Sequence, residues 1–204
     1  MPRGIFITFE GGEGAGKTTQ LRLLQEKLEK SGKTVVATRE PGGTPGAEAL
    51  RKLLVNGDAY DWDALTETLL QFAARRDHVQ KLIEPALVEG SAVLCDRFYD
   101  STYAYQGCGQ GMDAKAIDAI RKAVIGELKP DITFLLDLPV EEGLKRAQAQ
   151  QRYERLPPEF HERLRQGFLT MAKAEPKRFV IINAAQDAEK VAEEVWIATQ
   201  KRLK

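Results

Sequence analysis

The sequence predicts an α/β fold built on a parallel sheet, and three observations carry that prediction. Short apolar runs alternate with helical patterns along all 204 residues, the order produced when crossover helices cover both faces of a sheet. The stretch Gly11-Gly12-Glu13-Gly14-Ala15-Gly16-Lys17-Thr18 fits G-x-x-x-x-G-K-[ST], a phosphate-cradling loop that joins a strand to a helix. The apolar run ending in Asp96 puts a carboxylate at the C-terminal edge of such a sheet, where α/β folds bind their ligands.

Each element has its own reason. Ile5-Phe6-Ile7-Thr8-Phe9 is a near-continuous apolar run of strand length, as burial on both faces requires. Thr19 to Lys30 carries Leu21, Leu24 and Leu28 at the spacing of an amphipathic helix. Thr34-Val35-Val36-Ala37-Thr38 is a β-branched strand that ends at Arg39-Glu40-Pro41-Gly42-Gly43. A helix is expected over 46–55, and a longer one over 62–87 with a stripe at Leu65, Leu69, Phe72, Val79 and Ile83. The strand Ala92 to Asp96 leads into a polar, aromatic segment up to Gly111, then a helix from Asp113 to about Gly126. Asp131 to Asp137 and Phe179 to Ile182 are the fourth and fifth strands, and the closing helix carries Val191, Val195 and Ala198. No repeat and no linker divides the chain, so one domain over 1–204 is expected, with the arginine-bearing stretch 145–158 as a lid between two helices.

Composition narrows the partners. Thirty basic residues balance thirty acidic ones, so no excess positive field invites nucleic acid or an acidic membrane. No apolar stretch approaches the length of a bilayer span, and the first residues run straight into the first strand without room for a signal peptide. A cytoplasmic location is the expectation. The cysteines, Cys95 and Cys108, lack C-x-x-C spacing; Cys95 ends an apolar run and reads as a buried thiol, Cys108 as the more exposed one.

The glycine-rich loop needs its residue types. Glycines let successive backbone N–H groups curl around phosphate oxygens, and the helix N-terminus adds partial positive charge. Lys17 reaches the β and γ phosphates of a nucleoside triphosphate, the Thr18 hydroxyl holds Mg²⁺, and Thr19 continues the contact. Asp96 is the expected carboxylate beside that Mg²⁺, although Asp137 ends a similar run; Arg97, directly after Asp96, favours the first. The guanine-reading N-K-x-D pattern is absent. Arginines at 39, 51, 75, 76 and 97 exceed what one triphosphate needs and suit a second phosphorylated substrate.

Four segments carry a resemblance to a family. They are Phe9 to Thr19, then Thr38-Arg39-Glu40-Pro41-Gly42-Gly43-Thr44, then Phe72-Ala73-Ala74-Arg75-Arg76, and Asp96-Arg97-Phe98 with Tyr105-Gln106-Gly107. In these the chain resembles the bacterial thymidylate kinases. The resemblance implies a P-loop kinase fold, with five parallel strands, helices on both faces and a short lid. It implies transfer of the ATP γ-phosphoryl group to dTMP with Mg²⁺, and a homodimer formed through helices. The rival is another deoxynucleotide or nucleoside kinase of the same fold. A nucleotide-switched assembly protein has less support, because no switch motif occurs and the arginines would go unused.

At matching positions the resemblance implies roles. Glu13 accepts from the acceptor's 3′-hydroxyl; Phe72 stacks on thymine, though it also lies on the apolar stripe of its helix; Arg75 donates to thymine O4, with Arg76 as alternative. Gln106 meets the imide edge, and Thr102 and Tyr105 line the sugar pocket. Arg51 and Arg97 hold the acceptor phosphate, in a cleft shaped by Arg39, Glu40 and Pro41. Two departures stand out. Gln110 occupies the place of a usual arginine in Gly107-Cys108-Gly109-Gln110-Gly111, and Gln151-Arg152-Tyr153-Glu154 lacks the usual lid Asp. With Gly at position 14, the family pattern puts the catalytic arginine in the lid, where Arg152 is the expected residue and Arg155 its rival.

Overall fold

A computed structural model of the chain describes residues 3–55, 62–147 and 153–203. Five strands form one sheet in the order β2-β3-β1-β4-β5, every pair parallel. They are β1 (Phe6–Glu10), β2 (Val35–Arg39), β3 (Ala92–Asp96), β4 (Ile132–Asp137) and β5 (Phe179–Asn183). The helices are α1 (Lys17–Lys30), α2 (Pro45–Val55), α3 (Ala64–His78), α4 (Glu84–Val88), α5 (Tyr99–Thr102), α6 (Ala114–Ile125), α7 (Val140–Ala147), α8 (Pro158–Ala174) and α9 (Ala188–Arg202).

The pleat of β1 explains how the two faces differ. Ile7 and Phe9 point to the side where α1 brings Leu21, Leu24 and Leu28 and α9 brings Val191 and Val195. On the opposite face Phe6 joins Phe72, Val79, Ile83 and Phe98. Its alternate partners on that face, Thr8 and Glu10, are polar yet fully buried. Thr8 is matched across the sheet by Thr133, Oγ1 to Oγ1 at 2.8 Å, and Thr133 accepts from Arg178 at 2.8 Å. Polar groups inside a sheet persist only when so partnered.

The helix expected over 62–87 is three pieces in succession. α3 starts on the cap of Asp63, whose carboxylate accepts from Thr66 N at 2.7 Å. A π-helical turn, Val79–Ile83, then leads into α4, which has Pro85 in its first turn. Proline has no N–H for a regular α-helical bond, so it sits in the first turn of α4, just after the π-turn. The expected stripe splits accordingly: Phe72, Val79 and Ile83 are core, whereas Leu65 and Leu69 are 51% and 50% exposed. The segment after Asp96, expected only as polar and aromatic, is helical: α5 runs into a π-helix, Tyr103–Gly109. α7 reaches Ala147, so Lys145 and Arg146 are helical, and the described part of the lid resumes with a 3₁₀ turn, Tyr153–Arg155. As expected, Cys95 is buried and Cys108 exposed. Among the described residues no helix is long and apolar enough to cross a membrane.

Candidate active site

The parallel register brings the C-terminal ends of β1, β2 and β3 level, with Asp96 opposite both Phe9 and Arg39. Above this edge lies a cleft of about 1000 Å³. One end of it is the loop between β1 and α1. Gly14 there is left-handed at φ 67°, and a Cβ on it would lie 2.1 Å from the Gly143 carbonyl oxygen of α7. Gly143 in turn admits the Glu13 carbonyl, 2.5 Å from where its own Cβ would be. Two glycines thus let loop and helix touch backbone to backbone.

Lys17, at the first position of α1, donates to the carbonyls of Gly11 at 3.2 Å and Gly12 at 2.7 Å. Burial, together with the nearby Arg97 charge, brings its ammonium down to about 8. The Thr18 hydroxyl donates to Asp96 at 2.6 Å. Asp137, the alternative by pattern, is taken up by Arg165 at 2.7 and 3.0 Å. Thr18 and Asp96 are hard oxygen donors meeting beside the phosphate loop, the set Mg²⁺ prefers. Among the described residues no cluster of three or more His, Cys, Asp or Glu could cage a metal. The pair therefore fits a cation that draws its other ligands from phosphate and water.

The other end is built from side chains that already hold one another. Arg97 sits at φ 70°, rare for a non-glycine residue. Its guanidinium donates to the Gly11 carbonyl at 3.1 Å, the Ser101 hydroxyl at 3.2 Å and both Glu13 oxygens at 3.2 Å. It also lies 5.0 Å from the centre of the Tyr105 ring, whose hydroxyl donates to Glu13. Burial alone would raise the Glu13 carboxyl, but Arg97 and Lys17 outweigh it and hold it at about 2. Beneath the turn after β3, Glu10 accepts from Phe98 N at 2.7 Å and Ser101 Oγ at 2.6 Å.

Arg75 is 2% exposed and held along its length. It donates to Glu40 at 2.6 Å and to the Thr102 hydroxyl at 3.2 Å, and lies 4.6 Å from the Phe72 ring centre. The other Glu40 oxygen accepts from His78 Nδ1 at 3.0 Å, and His78 Nε2 is 2.7 Å from Thr38 Oγ1. Arg51 donates to the Pro41 carbonyl at 2.8 Å, and Arg39 pairs with Glu48 at 3.3 Å.

The cleft gathers most of the residues singled out in the sequence: Glu13, Gly14 and Gly16 to Thr19 at one end, Arg39, Pro41, Arg51, Arg75, Asp96, Arg97, Thr102, Tyr105 and Gln106 towards the other. Gly11 and Gly12 border a small cavity behind the loop instead. Arg76 turns away, donating to the Val124 carbonyl at 3.0 Å. Phe72, 1% exposed, lines none of the cleft in this structure and packs in the core. Arg152 lies outside the described residues; Arg155 belongs to the 3₁₀ turn. Arg146, on the last turn of α7, lines the cleft while donating to the Ala184 carbonyl at 3.1 Å.

Sequence reasoning missed Glu67, His78 and Glu10, and took Glu40 only as a shaper of the cleft. These carboxylates and the imidazole are recognisable only from their partners. Gly143 carried a legible signal, since a glycine in a helix interior marks a close backbone approach. Gln110, in place of the usual arginine, donates to Glu67 at 3.3 Å.

Comparison with known proteins agrees with this geometry. The family model for thymidylate kinase matches residues 9–195. Thymidylate kinase of Caulobacter vibrioides is 50% identical, over 100% of this chain and 99% of its own. That of Bradyrhizobium sp. (strain ORS 278) is 51% identical, over 98% of this chain and 92% of its own. The crystal structure of thymidylate kinase from Ehrlichia chaffeensis superposes with TM-score 0.80 at 41% identity, covering 97% of this chain and 99% of that one. With the loop, the Asp96-Arg97-Phe98 turn and the arginine-lined cleft in one place, the chain belongs to the thymidylate kinase family.

Proposed function

We propose that this chain carries out its family's reaction, ATP-dependent phosphorylation of dTMP to dTDP, with the two ends of the cleft divided between donor and acceptor. The observation that carries this is the meeting of Lys17, Thr18 and Asp96 with Arg97, Arg51, Arg39 and Arg75 in one cleft. At the donor end the loop amides from Gly11 to Thr19 cradle the ATP phosphates, and Lys17 follows the charge on the transferred group. Thr18 and Asp96 hold Mg²⁺, which supplies charge neutralisation across the phosphates when bound.

At the acceptor end Arg51 and Arg97 hold the dTMP phosphate, with Arg39 and Pro41 at its rim. Repulsion between two phosphate groups is the main obstacle to transfer, and these cations offset it. Glu13, kept ionised by Arg97 and Lys17, accepts from the sugar 3′-hydroxyl. Thr102 and Tyr105 border the sugar. Arg75 donates to thymine O4, and Gln106 meets the imide edge. Phe72 is the aromatic assigned to the thymine face; because its ring is sealed, seating a base on it requires that wall of the cleft to open. The protein works as a cytoplasmic homodimer, a reading supported by the exposed Leu53, Leu65 and Leu69 of α2 and α3. Nucleic acid and membrane take no part.

Arg152 is the lid's catalytic arginine. Gly14 leaves the phosphate loop with Lys17 as its one cationic side chain. Single alanine substitutions at Arg146, Arg152 and Arg155, assayed at saturating ATP and dTMP, test the assignment. Arg152→Ala is expected to lower kcat by about 10³-fold or more, since arginine fingers act mainly in the transition state. A kcat within a few-fold of the parent removes Arg152 from the mechanism.

A further inference from the structure

Glu67 belongs to no motif and lines none of the cleft, yet it is fully buried on the first turn of α3. One of its oxygens, Oε1, receives Gln106 Nε2 at 2.7 Å, Gln110 Nε2 at 3.3 Å and the Tyr153 hydroxyl. A carboxylate oxygen that receives these donors acts as an acceptor, whereas a glutamine amide offers a donor at one end and an acceptor at the other. The Gln106 amide is therefore held with its NH₂ group toward Glu67. Gln106, 2% exposed, lines the cleft, and its Oε1 makes no hydrogen bond among the described residues. Gln110 is turned the same way, although this leaves its own Oε1 buried without a partner among the described residues. The carboxylate thus orders both amides around it.

We propose that Glu67 is a positioning residue that sets the polarity of the Gln106 amide and so makes the base pocket selective for an imide. The inference rests on the reading of Gln106 as the partner of the thymine edge. Thymine presents an N3–H donor flanked by carbonyl acceptors. The Gln106 carbonyl accepts from N3–H, and the second hydrogen on Nε2 remains for the neighbouring carbonyl. Cytosine presents the reverse pattern, an N3 acceptor beside an exocyclic amine, and pairs with the amide only after a flip. That flip would set the Gln106 carbonyl against the Glu67 carboxylate, two acceptor oxygens facing each other in a buried site. A glutamine free to rotate would serve either base; the buried carboxylate removes that freedom.

Glu67→Gln tests this, because an amide of the same shape can face Gln106 with either end. The full-length protein is assayed for kcat/KM with dTMP, dUMP and dCMP at saturating ATP and Mg²⁺. The dTMP-to-dCMP ratio is expected to fall about tenfold or more, as loss of a correctly oriented buried hydrogen-bond partner predicts. The dTMP-to-dUMP ratio is expected to hold, since uracil shares the imide edge. A parallel loss for all three substrates, or an unchanged dTMP-to-dCMP ratio, overturns the proposal. Gln106→Leu, measured alongside, separates it from the reading beneath it. If Gln106→Leu collapses the ratio while Glu67→Gln keeps it, Gln106 reads the base and Glu67 does not orient it; if Gln106→Leu keeps the ratio, both fail. Should Glu67→Gln not fold, Glu67→Asn against Glu67→Asp repeats the contrast. Asn is expected to relax the ratio and Asp, an acceptor only, to retain it; the same ratio in both overturns the proposal.

Discussion

The two ends of the cleft are made from different material. The donor end is nearly all backbone: consecutive residues from Gly11 to Thr19, three left-handed glycines and a helix N-terminus, contiguous in sequence. The acceptor end is side chains from α2, α3, the turn after β3 and the π-helix Tyr103–Gly109, and most of them are committed to one another: Arg75 to Glu40, Glu40 to His78, Arg97 to Glu13, Gln106 to Glu67. Loop amides recognise any triphosphate, because phosphate has little shape to distinguish. Selecting one base needs donors and acceptors held in fixed directions, and only a second layer of buried partners provides that.

The contrast predicts that a change at the donor end strikes the chemistry and leaves the fold intact. Lys17→Ala is expected to lower kcat by about 10³-fold or more, in keeping with the loss of a donor aimed at developing charge. Circular dichroism is expected to match the parent, since among the described residues Lys17 hydrogen-bonds only to carbonyls of its own loop. Near-normal turnover would remove the loop from the mechanism.

At the acceptor end binding and folding are entangled. Phe72→Ala is expected to destabilise by about 3–5 kcal/mol, the range for truncating a core phenylalanine. The KM for dTMP is expected to rise by about tenfold or more, as loss of base stacking implies, with the KM for ATP changed little. A lower Tm with an unchanged dTMP KM would make Phe72 purely a support for Arg75. An unchanged Tm with a raised KM would take it out of the core.

The smallest effect is a pH profile. Burial and Arg97 bring Lys17 down to about 8, so the free enzyme loses this positive charge as pH rises through that value. Since kcat/KM reports the free enzyme, kcat/KM for ATP is expected to fall above about pH 8, approaching tenfold per pH unit. The kcat at saturating ATP is expected to be flatter, because bound phosphate favours the charged lysine. A profile level to pH 10 would show that the donor end holds its lysine charged without the nucleotide.

How much was legible follows the same division. The five strands were readable to within a residue at each end because buried parallel strands are short apolar runs bounded by turn residues. The phosphate loop was readable because its glycines are needed by the backbone itself. The helix over 62–87 was readable in existence but not in its π-turn, and Tyr103–Gly109 was missed as helix. Its tyrosines, glutamine and glycines face a cleft and α8 rather than one apolar core, so no 3.6-residue period survives. Asp96 over Asp137 could be argued from its neighbour, and the contacts that set the two apart, Thr18 on one and Arg165 on the other, are not readable in the sequence.

The sequence alone determined the sheet, the phosphate loop and the set of arginines, because each depends on local pattern: apolar period, backbone permissiveness, residue type. Tertiary structure alone decided which arginine faces the cleft, with Arg75 inward on Glu40 and Arg76 outward on Val124. It also decided which carboxylates are buried behind the site, Glu10, Glu40 and Glu67, each met by donors far away in the chain. A charge or amide has no intrinsic direction in a sequence. It acquires one from whatever is packed against it, and that packing exists only once distant segments have come together.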